Sequence, residues 1–223
     1  MIQTLHHIRQ LLRALDTPQD TLSVIHIAGT NGKGSTAAYL SQMLTGSGCR
    51  VGRFTSPHLI APFDTICIDG EPALTQDEFD ACMTHLETLH THASYFERQT
   101  ALAFLVFAGT VRKAGLERPI PSVDVALVEC GMGGRNDATN VVLRPLVTVL
   151  TSIGMDHETV LGPHLEDIVI NKCGILRRNV PVVMSVQRHV GVEGWIREQA
   201  ELVGTDPCSV ADADQIRVDG QML

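Results

Sequence analysis

The chain has 223 residues, 44% hydrophobic and 19% charged, with only nine aromatics (six Phe, two Tyr, one Trp) and a formal charge of −8. This composition describes a globular protein able to bury a core without staples, and excludes disordered, collagen-like and membrane-spanning classes. The acidic balance argues against a broad contact with nucleic acid or anionic lipid, so neither is expected as a partner. Of seventeen basic residues only Lys33, Lys113 and Lys172 are lysines. Since Arg supplies neither a neutral amine nor a compact point charge, each Lys invites a specific reading. Six scattered cysteines without a C-x-x-C pair read as free thiols of a reducing, cytoplasmic compartment.

In chain order, Ile2, Leu5, Ile8, Leu12 and Leu15 repeat at helical spacing and predict an opening amphipathic helix. Leu22 to Ala28 is a β-branched run that enters a glycine-rich turn, predicting a buried strand. A helix is expected from Ser35 to Thr45, then strands at Arg50 to Thr55 and Thr65 to Ile68. Thr75 with Glu78 forms a capping-box pattern that opens a helix with Phe79, Cys82, Leu86 and Leu89 on one face. Thr100 to Ala114 is apolar nearly all round and predicts a buried helix closing at Gly115. Further strands are predicted at Val123 to Glu129, Leu146 to Leu150 and Pro181 to Val186, with a helix at His164 to Gly174. After Gly204 only a short strand near Ile216 to Val218 is expected. Continuously apolar strands alternating with helices define an α/β protein, a mainly parallel sheet flanked by helices, with its site at the carboxyl ends of the strands.

Between the first strand and the next helix stands Gly29-Thr30-Asn31-Gly32-Lys33-Gly34-Ser35-Thr36. Glycines at such a junction let backbone N–H groups converge on an anion, the helix dipole adds to the field, and Lys33 supplies a point charge for the outer phosphates. The strict P-loop pattern is broken at Ile27 and Gly34. An ordinary glycine turn with a solvated lysine is the alternative.

The segments HIAGTNGKGS (26–35), TSPHL (55–59), ECGMGGRNDATN (129–140), TSIGMDH (151–157) and NKCGI (171–175) occur in one order. As a set they resemble the signatures of folylpolyglutamate synthase and dihydrofolate synthase, ATP-dependent amide-forming ligases of the Mur ligase superfamily. The resemblance implies a P-loop NTPase-like fold of the Mur ligase central-domain type, with ATP held by Thr30, Asn31, Gly32, Lys33, Gly34, Ser35 and Thr36. It implies magnesium bound by Ser56, Glu129 and His157, and a second magnesium through a carbamylated Lys172, whose motif departs from the family by carrying Asn171 and Cys173. Lys33, His157 and Lys172 are the implied catalytic residues. The pterin- and carboxyl-bearing substrate is implied near Phe96, Glu97, Arg135, Asn136 and Asp137, although Phe96 reads equally well as core and Glu129 also reads as an ion-pair partner of Arg135. The implied reaction joins L-glutamate to a folate or dihydropteroate carboxylate through an acyl phosphate, in a cytoplasmic monomer. Family members are longer, so residues 1–223 are expected to form an ATP-binding domain incomplete at both ends, with the C-terminal ligase domain absent. A nucleotide-binding fragment without turnover, or a Mur-type ligase with another acceptor, are the competing readings.

Overall fold

The structure is a computed structural model that describes residues 5–89, 91–211, 217–218 and 221–222. Its main sheet has eight strands in the order β4-β3-β2-β5-β1-β6-β7-β8. The strands are β1 (Val24–Ala28), β2 (Val51–Phe54), β3 (Ile66–Ile68), β4 (Glu71–Pro72), β5 (Val125–Glu129), β6 (Val147–Leu150), β7 (Val182–Ser185) and β8 (Cys208–Ala211). From β2 to β8 every pairing is parallel, and β3 and β4 extend one edge antiparallel. The central position of β1, between β5 and β6, explains why VIHIA is continuously apolar apart from His26.

Helices α1 (His6–Ala14), α3 (Gln76–Glu87) and α4 (Tyr95–Phe107) gather on one core, in which Ile8, Leu11, Leu12, Phe79, Phe104 and Phe107 are fully buried with Phe54 of β2. Gly52 is required there: a Cβ would sit 2.6 Å from the Phe107 ring. Gly52→Ala is therefore expected to cost about 1–3 kcal/mol through overpacking, measurable by urea denaturation. Helix α2 (Lys33–Gly46) lies on the other face, since Gly34 looks onto Glu129, which by register shares a face with Leu127 and Arg53. A second core joins β6 and β7 to α6 (Leu165–Lys172) and α7 (Val192–Val203) through Leu150, Ile168, Val169, Met184, Val192 and Ile196. The short α5 (Glu158–Leu161) precedes α6.

Several boundaries differ from expectation. Helix α2 starts at Lys33 rather than Ser35, because Gly32 takes the left-handed conformation (φ +88°) and turns the chain into the helix directly. The helix expected over Thr100 to Ala114 begins at Tyr95, where Ser94 and Glu97 form a reciprocal capping box, and ends at Phe107. Gly109 (φ +70°) interrupts it beside the Ile120–Ser122 backbone, and Val111–Ala114 is a separate 3₁₀ turn. Losing the cap in Ser94→Ala is expected to cost about 1 kcal/mol in the same denaturation measurement. The helix expected over His164 to Gly174 stops at Lys172 and tightens to 3₁₀ over Cys173–Ile175. Helix α7 and strand β8 were not expected. Arg217–Val218 does form a strand, paired with Gln221–Met222, whereas Ile2 and Ile216 lie outside the described residues. All six cysteines are free thiols. Among the described residues no helix is long and apolar enough to cross a membrane.

Candidate functional site

The carboxyl ends of β5, β1 and β6 lie side by side, the position at which parallel α/β sheets place their sites. Gly29 leaves β1 with φ +150°, and a Cβ on it would collide with Thr151 Oγ1, so the loop turns against β6 with no room for a side chain. Ser152 then takes up part of the loop: its carbonyl accepts from the N–H of Thr30 (2.9 Å) and of Asn31 (3.1 Å). Thr30 Oγ1 donates to the Gly154 carbonyl (3.0 Å) and accepts from its N–H (3.1 Å). Of the residues expected to hold a nucleotide, Thr30 thus spends its polar groups inside the fold. The N–H groups that lack an intrahelical partner belong to Lys33, Gly34 and Ser35 in the first turn of α2, which has no side-chain cap. An uncapped, glycine-flanked helix start is suited to an anion.

Lys33 Nζ donates to the Thr30 carbonyl (3.2 Å) and lies 3.8 Å from the Glu129 carboxylate at the end of β5. Glu129 is 3% exposed. Burial pushes its carboxyl up to about 7, against the opposing pull of Lys33 and of the Ser56 N–H that donates to it. The nearby Ser56 Oγ is buried and has no hydrogen-bond partner. An orphaned hydroxyl beside a buried carboxylate offers the hard oxygen donors magnesium prefers, so this pair fits that ion. His157 sits apart in burial and conformation: it is in the left-handed region (φ 50°) ahead of α5, half exposed, with Nε2 3.6 Å from Asp156. No group of three His, Cys, Asp or Glu side chains is arranged to hold a metal among the described residues.

Lys172 reaches the end of β1 from α6. Only 2% exposed, it donates from Nζ to the Gly29 carbonyl (2.8 Å). Burial, then the charge of Lys33, pulls its amine down to about 8. Its neighbour Asn171 holds the glycine loop: Oδ1 accepts from the Gly134 N–H (3.1 Å) and its carbonyl from the Arg135 N–H (2.9 Å). A Cβ on Gly134 would lie 2.6 Å from the Lys172 carbonyl, which is why the loop needs glycine at this approach.

The expected substrate residues divide into two sets. Arg135 and Asn136 are exposed on the loop. Glu97 and Asp137 are committed elsewhere. Glu97 caps α4 by accepting from the Ser94 N–H (2.7 Å) and also accepts from the Ile8 N–H (3.1 Å), tying α1 to α4. Asp137 is buried and accepts from Met132 N–H (2.9 Å), Thr139 N–H (3.0 Å) and Thr139 Oγ1 (2.6 Å). Phe96 stacks on Phe54, with ring centroids 5.9 Å apart, at the margin of the core. Arg135 does not pair with Glu129; the carboxylate's neighbouring cation is Lys33. The sequence assigns no role to Ser152, Asn140 or Gln187, and Asn171 enters it only as a departure from the family motif. Gln187 fixes the Thr151–Ile153 turn by accepting from the Ile153 N–H (3.0 Å), a contact across 34 residues that leaves no local sequence signal.

A glycine loop running into an uncapped helix at the end of a central parallel strand, with a lysine against a buried carboxylate, defines a phosphate-loop α/β domain. No family model matches the chain. It is 38% identical over 205 residues to the dihydrofolate synthase/folylpolyglutamate synthase of Bacillus subtilis, 88% of this chain and 45% of that protein. It matches the crystal structure of Mycobacterium tuberculosis folylpolyglutamate synthase complexed with ADP and AMPPCP at TM-score 0.80 and 35% identity, covering 96% of this chain and 48% of that one. An FPGS–AMPPCP–folate complex matches at TM-score 0.79 and 32% identity, over 96% and 51%. The chain is a homologue of the N-terminal portion of folylpolyglutamate synthase/dihydrofolate synthase family members. It spans about half the length of the curated relatives it matches.

Proposed function

We propose that residues 1–223 form the ATP-binding domain of an ATP-dependent ligase that joins L-glutamate to the carboxylate of a folate or dihydropteroate. The observation that carries this reading is the uncapped start of α2 with Lys33 Nζ 3.8 Å from buried Glu129. The likeness to nucleotide- and folate-bound relatives supports it. The N–H groups of Lys33, Gly34 and Ser35 hold the phosphates, Lys33 neutralises charge growing on the transferred phosphoryl group, and Asn31, Gly32 and Thr36 line the same loop. Ser56 and Glu129, completed by His157, would hold a magnesium ion, and a carbamylated Lys172 a second. Bound there, magnesium would neutralise phosphate charge. Arg135, assisted by Asn136, grips the substrate carboxylate with its guanidinium fork. That carboxylate takes the γ-phosphoryl group to give an acyl phosphate, and the glutamate amine then displaces phosphate, so no protein nucleophile is required. The reading takes the protein as a cytoplasmic monomer.

Because the matched region is about half of each relative, the test has two stages. The 223-residue chain is expected to bind AMPPCP with magnesium by titration calorimetry. Glutamate-dependent phosphate release from dihydropteroate or tetrahydrofolate is expected in a full-length context, and its absence there would sink the assignment. Binding of AMPPCP without turnover in either context would favour a nucleotide-binding module.

The carbamate has its own readout. Burial and the charge of Lys33 pull the Lys172 amine down to about 8, so a larger share of it is neutral near pH 7 than of an ordinary lysine. The neutral nitrogen attacks the carbon of carbon dioxide, the new N–C bond forms, and a proton leaves to water. Carbon-13 bicarbonate should give a carbamate resonance in the wild type that vanishes in Lys172→Arg, and a resonance unchanged by that substitution would refute it.

A further inference from the structure

Beneath the site lies a buried side-chain network that the proposed reaction leaves unused. His26, at the centre of β1, is fully buried, an unusual position for imidazole in an otherwise apolar strand. Its Nε2 lies 2.8 Å from Thr139 Oγ1 and 3.3 Å from Cys130 Sγ, while Nδ1 is buried with no partner. The direction of the hydrogen bonds follows from donor counting. The Thr139 hydroxyl has two acceptors in reach, Asp137 Oδ1 at 2.6 Å and Cys130 Sγ at 3.4 Å; the short contact to the carboxylate takes its single proton, so toward His26 it accepts. His26 must then donate from Nε2, and a neutral ring carries one N–H, which leaves Nδ1 as a bare lone pair. The short Thr139–Asp137 bond therefore specifies the Nε2–H tautomer, in which the orphaned Nδ1 carries a lone pair rather than an unpaired proton.

The far end of this chain is the glycine loop. Asp137 accepts from the Thr139 N–H through Oδ1 and from the Met132 N–H through Oδ2, which folds residues 131–137 back on themselves. The same segment presents exposed Arg135 and Asn136. Gly131 completes the closure, because a Cβ there would lie 2.7 Å from the Phe96 ring and 3.3 Å from Asp137 Oδ2.

We propose that His26 is a positioning residue for the substrate loop: as a neutral Nε2–H donor it aims the Thr139 hydroxyl at Asp137, and Asp137 sets the loop that carries Arg135. It acts through two other side chains and touches no reacting atom. The function assigned to the loop rests on the folate-side reading of Arg135 above; the network itself does not.

Three substitutions separate the roles. Thr139→Val deletes only the hydroxyl at nearly constant volume, His26→Leu deletes the donor, and His26→Gln returns a side-chain N–H donor. In the 223-residue chain, the amides of Met132 and Thr139 should lose protection in hydrogen exchange in Thr139→Val and His26→Leu, and regain it in His26→Gln. Imidazole nitrogen-15 spectra of the wild type should report the Nε2–H tautomer. In the full-length context, folic acid affinity is expected to fall about tenfold in the first two variants, with AMPPCP affinity unchanged. Nδ1–H in the spectrum, or unchanged amide protection in Thr139→Val, overturns the proposal. An equal loss of both affinities, or no rescue by Gln, overturns it in favour of a purely structural histidine. A wild type that binds no folic acid defeats the functional reading instead, and the exchange and tautomer measurements still decide the network.

Discussion

Lys33→Ala is expected to weaken AMPPCP binding roughly a hundredfold, about 3 kcal/mol, as expected when one partner of a desolvated charge contact is removed. Two effects of the same sign add. The first turn of α2 keeps its N–H groups but loses the point charge beside them, and Glu129 loses the cation 3.8 Å away that offsets its burial. Lys33→Arg should recover little. The Lys33 side chain is 15% exposed and its Nζ lies between the Thr30 carbonyl and Glu129, a space for a compact ammonium rather than a planar fork. Calorimetric titration measures both variants, and a loss below threefold in Lys33→Ala would remove Lys33 from the phosphate site. A pH signature accompanies the loss. The folded Glu129 carboxyl titrates at about 7, above its ordinary 4.5. Between those values the native state holds a proton that the unfolded chain has released, so this group's contribution to stability falls as pH rises through the window and levels off above it. Lys33 opposes the upward shift, so Lys33→Ala should extend the window to higher pH. Urea midpoints measured within and above the window would show this as a steeper loss than in the wild type.

The legible parts of this chain are those in which local chemistry and global position agree. Val24–Ala28 is apolar because it is central, and the glycines after it mark both a turn and a close approach to Thr151, so strand, loop and helix could be read together. Thr75 and Glu78 announced α3 by the same reciprocal cap that Ser94 and Glu97 use for α4. The same sign is present there, and the carboxylate of Glu97, which the resemblance assigns to substrate, is spent on the Ser94 and Ile8 amides. Helix α7 also left a readable trace: Val192, Ile196 and Ala200 recur at four-residue spacing and are buried. Strand β8 did not, since it is an edge strand with alternate residues exposed. What remained illegible is long-range. Nothing near Asn171 in the sequence indicates that its amide oxygen will receive the Gly134 N–H, 37 residues away. Hydrogen bonds of that kind depend on which loops the sheet order brings together, and β1's place between β5 and β6 is a property of the whole chain.

The same dependence makes Arg177 the largest expected stability effect. The pair of arginines at 177–178 reads as ordinary basic residues after a helix, and Arg178 is indeed exposed. Arg177 is a clamp. Nη1 donates to the carbonyls of Gly174 (3.1 Å) and Leu176 (3.0 Å), and Nη2 to Asn140 Oδ1 (2.6 Å), the Asn140 carbonyl (3.2 Å) and the Val142 carbonyl (3.1 Å). All five acceptors are neutral oxygens, so the cation is held by converging dipoles. Arg177→Ala strands these acceptors in a half-buried site, and Asn140 itself is 6% exposed. The expected cost is about 2–4 kcal/mol, read as a lower urea midpoint at unchanged m-value. Arg177→Lys should recover a minor part, because one ammonium cannot reach both groups of carbonyls. A loss under about 1 kcal/mol in the alanine variant would mean that water replaces the guanidinium at no great cost. The effect should also reach the site by a defined route. Asn140 Nδ2 donates to the Arg135 carbonyl (2.9 Å) and to that of Gly174 (3.1 Å), so freeing Asn140 loosens Arg135 while the start of α2 keeps its own anchors on Ser152 and Gly154. For the folded fraction of Arg177→Ala, AMPPCP affinity is therefore expected to hold while folic acid affinity falls. Equal losses of both would place Arg177 in the general stability of the domain rather than in the support of its substrate loop.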